Sequence, residues 1–348
     1  MTTFSKNDTH FMSLALQLAR KGRYGVASNP MVGCVIVKDN KILAEGYHQT
    51  FGKAHAEINA LTQINHQTDG ATLYVTLEPC AHQGKTPPCA QTIIDASVKE
   101  VVIATLDPNP LVSGKGVAIL ADAGIVVRTG LLENESKELN RGFIKRMETG
   151  LPFVTCKIAM SIDGKTSMAS GQSKWITGKE ARQDVQKLRA KNQAILTGSS
   201  TILADNPLMT VRLDGVDSTP LRVVIDGKNQ ITDTTLKIFS NDANTKIFNS
   251  GNTQLNKAGK LDLHHVLVQL AQQNINSVLL EAGPKLIGAM VEEGLVDEFI
   301  FYTAPILMGS HATSMMALAI QQMDECLALN IRDIRMVGND IKITAILK

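Results

Sequence analysis

The sequence is short of cysteine, short of aromatics and close to neutral, and each shortage excludes a class of protein. Five cysteines in 348 residues is an odd and sparse count, which argues against a disulfide framework and for reduced thiols. A formal net charge of +2, no long Lys/Arg block and only 4% aromatic residues remove the basic footprint and stacking platforms of a nucleic-acid binder. No apolar run is long enough to span a bilayer, and "MTTFSKNDTH" lacks the apolar stretch of a signal peptide. These shortages predict a cytoplasmic chain with neither membrane nor nucleic acid as partner. What is present is ordinary for a soluble globular enzyme, 44% hydrophobic and 20% charged, in a length that suits two domains.

Segment 11–19 places Phe11, Leu14, Ala15 and Leu18 at helical spacing. "MVGCVIV" and "KILAEGY" read as a hairpin about the polar turn at 38–41. A helix is expected to begin near His55, a strand to run over 72–77 and a helix to start at about Cys89. A buried strand then ends in the proline-punctuated "DPNP", and a charged helix is expected over 133–148. "ETGLP" at 148–152 breaks the pattern. Beyond it, strands are predicted at 152–159, 194–197, 221–226, 277–281, 297–303 and 341–347, with helices at 178–191 and 284–293. This alternation is a second α/β unit, in which the polar stretch 240–260 reads as a surface excursion.

"HAEINAL" at 55–61 and "TLEPCAHQGKTPPC" at 76–89 each look like half of a zinc site. His55, Cys80 and Cys89 supply one imidazole and two thiolates, and a catalytic zinc keeps a fourth position open. Glu57 is then a carboxylate near the metal but not bound to it, placed to shuttle protons. Two residues apart do not share a mid-helix face, so His55 must lie in the first turn. Cys89, preceded by two prolines, also reads as a helix start, where the dipole favours thiolate. The competing reading has His82 closing the tetrahedron, which makes the site purely structural. "GKT" at 84–86 mimics a phosphate loop, but Pro79 stands where that motif needs glycine.

The second unit carries "KIAMSIDGKT" at 157–166, "SKWITG" at 173–178, "ILTGSSTILADNPLMTVR" at 195–212 and "LLEAGPKLIGAM" at 279–290. No G-x-G-x-x-G is present, so a classical dinucleotide fold has no direct support. "EAGPKLIG" reads as strand, tight Gly, then Pro at a first helical position, which presents free N–H groups to a phosphate. Arg189 and Arg212 can hold a sugar phosphate in a bidentate fork; alternatively they are surface arginines. Trp175, the sole tryptophan, reads by default as core packing.

"NPMVGCVIV", "GYHQTFGKAHAE" and the long P-C-x₈-C spacing together resemble the deaminase half of bacterial bifunctional riboflavin-biosynthesis enzymes. The later motifs, in this order, resemble the reductase half of the same family. The resemblance implies a cytidine-deaminase-like zinc domain (1–148) followed by a dihydrofolate-reductase-like α/β domain (149–348). It implies zinc-dependent deamination of a diaminopyrimidinone ribosylamine phosphate, then NADPH-dependent reduction of the product's ribosyl group to ribityl. In the deaminase it makes Glu57 catalytic, His55, Cys80 and Cys89 the metal ligands, and Asn29, His48, Lys85, Asp107 and Asn109 substrate contacts. In the reductase, Ala159, Trp175, Thr201, Asp205 and the run Gly283, Pro284, Lys285, Leu286, Ile287, Gly288 and Ala289 line NADPH. Ser173, Arg189, Met209, Arg212 and Glu281 hold substrate. Asn206 stands where many relatives have a second Asp, and Met209 where Leu is usual. No residue stands out as the reductase acid; Asp205 and Glu281 are the candidate carboxylates. The resemblance also implies a homo-oligomer, dimer or tetramer. Two other classes compete: a nucleic-acid or nucleoside base deaminase with an appended binding domain, and a zinc-stapled binding module without catalysis. The P-C-x₈-C spacing counts against the first and Glu57 against the second.

Overall fold

The structure is a computed structural model that describes residues 3–81, 88–109 and 112–348. The chain divides into two compact units, Met1–Thr149 and Gly150–Lys348.

The first unit is a five-stranded sheet between two helical layers. In chain order its elements are α1 (Lys6–Ala19), β1 (Gly33–Lys38), β2 (Lys41–Tyr47), α2 (Ala56–Gln63), β3 (Thr72–Leu77), α3 (Cys89–Asp95), β4 (Glu100–Thr105), α4 (Lys115–Asp122), β5 (Val126–Thr129), α5 (Glu133–Leu139) and α6 (Arg141–Thr149). The strand order is β2-β1-β3-β4-β5. β1 runs antiparallel to β2 and β3, while β3, β4 and β5 are parallel. One face of the sheet packs on α2, α3 and α4 through Ala60, Leu61, Ile93 and Leu120. The other packs on α1 through Phe11, Met12, Ala15 and Leu18, each large apolar side chain contributing about 1.5–3 kcal/mol by burial.

α1 begins five residues before the apolar period does. Ser5 caps it: its hydroxyl accepts from the Asp8 N–H (3.1 Å) and the Asp8 carboxylate accepts from the Ser5 N–H (2.8 Å), a reciprocal arrangement that satisfies two orphan donors. The expected single helix over 133–148 is two helices. Asn140 breaks it, because its side chain is spent on Met31, accepting from that residue's N–H (2.8 Å) and donating to its carbonyl (2.9 Å).

The second unit contains β6 (Phe153–Ser161), β7 (Lys165–Ser167), α7 (Lys179–Lys191), β8 (Ala194–Gly198), α8 (Ser199–Asp205), β9 (Leu221–Ile225), β10 (Thr245–Phe248), α9 (Leu263–Gln272), β11 (Ser277–Leu280), α10 (Pro284–Glu292), β12 (Glu298–Ala304), β13 (Thr313–Ser314), β14 (Leu329–Val337) and β15 (Asp340–Leu347). Eight strands form one sheet in the order β10-β9-β8-β11-β6-β12-β15-β14. The first six are parallel, and β15 and β14 add on antiparallel. α9 and α10 cover one face through Val266, Leu270, Ile287 and Met290. α7 covers the other through Ala181, Val185 and Leu188.

The stretch 240–260 is not only a surface excursion. It contains β10, whose Phe248 is fully buried. The cause lies in β9, where the Arg222 side chain is buried and donates to the carbonyls of Leu208, Lys237, Ser240 and Ala243. A buried arginine is tolerated when most of its donors are met; here Nε has no partner among the described residues, while the two terminal nitrogens reel a polar loop onto the sheet.

Candidate active sites

In the first unit the antiparallel β1 brings its start beside the ends of β2 and β3. One edge of the sheet therefore gathers the loops before β1 and after β2, β3 and β4. His55 is the N-cap residue of α2, extended at φ −73° and ψ 169°. Cys89 is the first residue of α3, after Pro88, and Cys80 follows β3. His55 Nδ1 lies 3.2 Å from Cys89 Sγ and 3.7 Å from Cys80 Sγ. The three ligand atoms lie within 4.8 Å of one another. A tetrahedral zinc with ordinary Zn–N and Zn–S bonds needs ligand atoms about 3.6–3.8 Å apart.

The electrostatics prepare one of the two thiols, Cys80, as a thiolate. The hydrogen bond from Cys89 draws the Cys80 thiol down to about 4 against its burial, and His55 and the Cys89 N–H (3.2 Å) reinforce the shift. The shared proton stays with Cys89, which the Cys80 partner and burial push up. Glu57, in the first turn of α2, is buried. Burial raises its carboxyl to about 7, with His55 opposing. Its Oε2 has no hydrogen-bond partner among the described residues. One imidazole and two thiols beside a buried carboxylate with one unbonded oxygen fit a zinc centre that leaves a position for chemistry.

His48 and Asn29 sit against this group. His48 Nδ1 donates to the Ala54 carbonyl (3.0 Å), so Nε2 accepts from Asn29 Nδ2 (3.1 Å). Burial lowers the His48 pKa, with His55 adding to the effect, and the two imidazoles meet edge-on at 5.5 Å. Asp107 and Asn109 follow β4, with Asp107 Oδ1 accepting from the Asn109 N–H (2.9 Å). Lys85, and the alternative ligand His82, lie outside the described residues.

In the second unit, Ala159 and Lys157 share one face of β6. Glu281 follows β11, and Arg189 grips it bidentately at 2.7 and 3.1 Å. The expected fork of Arg189 and Arg212 on a phosphate is thus half committed: the Arg189 guanidinium is already spent on Glu281 and the Thr210 carbonyl (3.0 Å). Burial alone would raise Glu281, but the charge and hydrogen bonds of Arg189, with Lys157 and Arg212, hold it below its ordinary value. Lys157 is a member of this group that the motifs did not single out; burial lowers its pKa and Glu281 counters. Among the described residues the Arg212 guanidinium makes only a long contact to Thr210 Oγ1 (3.4 Å). It borders a cavity of about 310 Å³ lined also by Ser218, Thr219 and Asp242.

Gly283 caps α10, with Pro284 first in the helix. A Cβ at Gly283 would lie 3.9 Å from Thr201 Oγ1, so the Thr201 hydroxyl and the open helix end face the same space. Within the run that follows, Lys285 is exposed, Leu286 and Ala289 are half-buried, and Ile287 and Gly288 are buried. A Cβ at Gly288 would stand 1.9 Å from the Ala317 carbonyl oxygen, so this glycine lets a crossing segment approach the helix. The open turn before it fits a dinucleotide's phosphates. Asp205 closes α8 and pairs with Lys174 (3.4 Å). Ser173 is half-buried. Trp175 is not core: it is 70% exposed, with the Arg182 guanidinium 4.5 Å from its ring. Met209 is buried among Ile195, Ile202, Val224 and Ile238, its backbone in the left-handed region at φ 52°.

Known proteins resemble the chain in both halves. Residues 5–105 match the family described as cytidine and deoxycytidylate deaminase zinc-binding region. Residues 152–343 match the family described as RibD C-terminal domain. The riboflavin biosynthesis protein RibD of Escherichia coli K12 is 44% identical, covering 96% of this chain and 98% of its own. That of Haemophilus influenzae is 42% identical, with 99% and 98% covered. Among solved structures, RibD of Acinetobacter baumannii superposes with a TM-score of 0.92 at 43% identity, covering 99% of each chain. A Thermotoga maritima protein, described as a diaminohydroxyphosphoribosylaminopyrimidine deaminase and phosphoribosylaminouracil reductase, gives 0.89 at 34% identity, covering 98% of this chain and 99% of its own. A zinc-type cluster followed by a phosphate-ready reductase sheet, matched end to end at this identity, places the chain in the RibD family of riboflavin biosynthesis: a zinc-dependent deaminase joined to an NADPH-dependent reductase.

Proposed function

We propose that the first unit hydrolyses the exocyclic amino group of a diaminopyrimidinone ribosylamine phosphate, and that the second reduces the ribosyl group of the product to ribityl. The observation that carries the first step is the buried Glu57 carboxylate, its Oε2 without a hydrogen-bond partner among the described residues, beside His55, Cys80 and Cys89. Bound zinc, held by those three residues, supplies Lewis-acid activation of water. Glu57, with a pKa near neutrality, is placed to accept a proton from the attacking water and deliver it to the departing amine. Asn29, His48, Lys85, Asp107 and Asn109 hold the pyrimidine and its ribosyl phosphate.

In the second unit bound NADPH supplies hydride, and the protein orients and excludes water. Ala159, Trp175, Thr201, Asp205 and the start of α10 from Gly283 hold the dinucleotide. Ser173, Met209 and Arg212 hold substrate, with Glu281 set by Arg189 and facing Lys157. Arg212, the less committed arginine, takes the phosphate. The boundary near residue 149 separates two units that each carry one activity, and the cytoplasm, where thiolates stay reduced, suits both.

Incubation with the diaminopyrimidinone phosphate tests the reading. Ammonia should appear without NADPH, and absorbance at about 340 nm should fall only once NADPH is added. A fragment of residues 1–149 should bind one zinc and release ammonia; a fragment of 150–348 should oxidise NADPH with pre-deaminated substrate and no metal. If the second fragment folds but binds no NADPH, the assignment of the two activities to separate units fails.

A homo-oligomer, dimer or tetramer, completes the reading. β14 is an edge strand with Leu329, Ile331, Ile334 and Met336 exposed, and bare apolar edges are templates for pairing. Antiparallel two-fold pairing about Ile334 sets Asp333 of one copy opposite Arg335 of the other. Light scattering should give at least twice the chain mass. Ile331→Lys with Ile334→Lys should lower it; an unchanged mass would remove β14 as the contact.

A further inference from the structure

Glu78 ends β3's approach to the metal loop, two residues before Cys80, and its side chain is buried. Its carboxylate accepts four backbone N–H groups. Oε1 takes those of Gly116 (2.9 Å) and Val117 (3.2 Å). Oε2 takes those of Asp107 (3.1 Å) and Gly114 (3.0 Å). Gly116 and Val117 lie in the first turn of α4, whose N-cap Gly114 offers no side chain. Glu78 thus caps that helix from another element and meets its dipole with a full negative charge. The fit depends on Gly116, because a Cβ there would stand 2.2 Å from the Pro79 carbonyl oxygen and 3.2 Å from the Glu78 carboxylate.

The same carboxylate reaches the other side of the site. The Asp107 N–H that it holds belongs to the loop after β4, and Asp107 in turn holds the Asn109 N–H. The Glu78 N–H also donates to the Thr105 carbonyl (3.0 Å) at the end of β4. One residue is therefore bonded to the loop after β4 and to the start of α4, and is covalently two residues from a candidate metal ligand.

We propose that Glu78 is a positioning residue that locks the Cys80 loop and the Asp107–Asn109 loop into one body, so that metal and substrate contacts keep register. The proposal rests on the reading above that Asp107 and Asn109 touch the substrate. Glu78→Gln is the direct test, because an amide keeps one acceptor oxygen and turns a second N–H donor against two backbone donors. In the zinc-loaded full chain, KM for deamination should rise about tenfold with a smaller change in kcat, the signature of lost substrate positioning. Zinc should stay at one per chain, and reduction of pre-deaminated substrate by the same molecule should be unchanged. Gly116→Ala, which pushes α4 off the carboxylate without touching its charge, should reproduce the KM effect if Glu78→Gln fails to hold zinc. Asn109→Ala separates the two ideas. If it leaves KM unaltered, the loop does not touch substrate and the underlying reading falls. If it raises KM while Glu78→Gln and Gly116→Ala do not, the positioning role is overturned.

Discussion

Glu57→Gln should abolish most ammonia release while leaving the molecule otherwise intact. A positioned acid–base group contributes about 10²–10⁴-fold, and the amide cannot carry the proton. Folding should tolerate the change, because Glu57 is already easy to neutralise in its buried place and its Oε2 has no hydrogen bond to lose among the described residues. Zinc content should remain at one per chain, since none of the three ligand atoms is altered. Reduction of pre-deaminated substrate should continue at the parent rate. A drop of less than tenfold in deamination would remove Glu57 from the proton path. Loss of zinc in the variant would make it a structural part of the centre instead.

Glu281→Ala should have the largest effect on the second unit. Arg189 and Glu281 are only 11% and 12% exposed at their side chains, and truncating one partner leaves a guanidinium, and Lys157 beside it, without their counter-charge. Breaking a buried pair this way costs about 3–5 kcal/mol, a fall in Tm on the order of 10 °C for a unit of this size. The pH dependence has a definite sign. Because Glu281 is held below its ordinary 4.5, its stabilisation is present above that value and is lost as pH falls through the folded pKa. The gap between parent and variant should therefore be widest near neutrality and close in acid. Pairing Glu281→Leu with Arg189→Met should recover much of the stability, as apolar replacements of buried pairs often do, but not reduction. If the double variant reduces substrate normally, the pair is scaffold alone.

Much of this was legible in the residues, and for a reason that can be named. His55, Glu57, Cys80 and Cys89 are uncommon types in a spacing that only a few chemistries use, and the structure gathers the three ligand atoms within 4.8 Å. The hairpin of β1 and β2 and the strand at 72–77 follow apolar runs bounded by polar turns. What was hidden depends on partners far away in sequence. Asn140 looks like any helical residue until Met31 claims its side chain. Arg222 has the type of a surface residue, and only the carbonyls of 208 and 237–243 make its burial possible. Trp175 lies on the surface because Arg182, rather than a core, faces its ring. β14 sets Leu329, Ile331, Ile334 and Met336 on one face, but the register shift between Ile331 and Asp333 breaks their alternation along the sequence. Arg189 reads as a phosphate ligand from its type, and its pairing with Glu281 was hidden because the two lie 92 residues apart.

The contact between His48 and Asn29 gives the pocket a polarity. With the His48 proton fixed on Nδ1 by the Ala54 carbonyl, Nε2 is obliged to accept, and the Asn29 amide must turn its NH₂ inward to serve it. An amide has two ends, and what is left over is the oxygen and the second N–H of the NH₂. At the oxygen a group lying against Asn29 meets lone pairs. A ring N–H or an amino group is welcome at that end, and a carbonyl is repelled from it. Neither residue is charged in this arrangement, so the preference would be written into the tautomer of one imidazole, a filter on nitrogen-rich faces set by a main-chain oxygen.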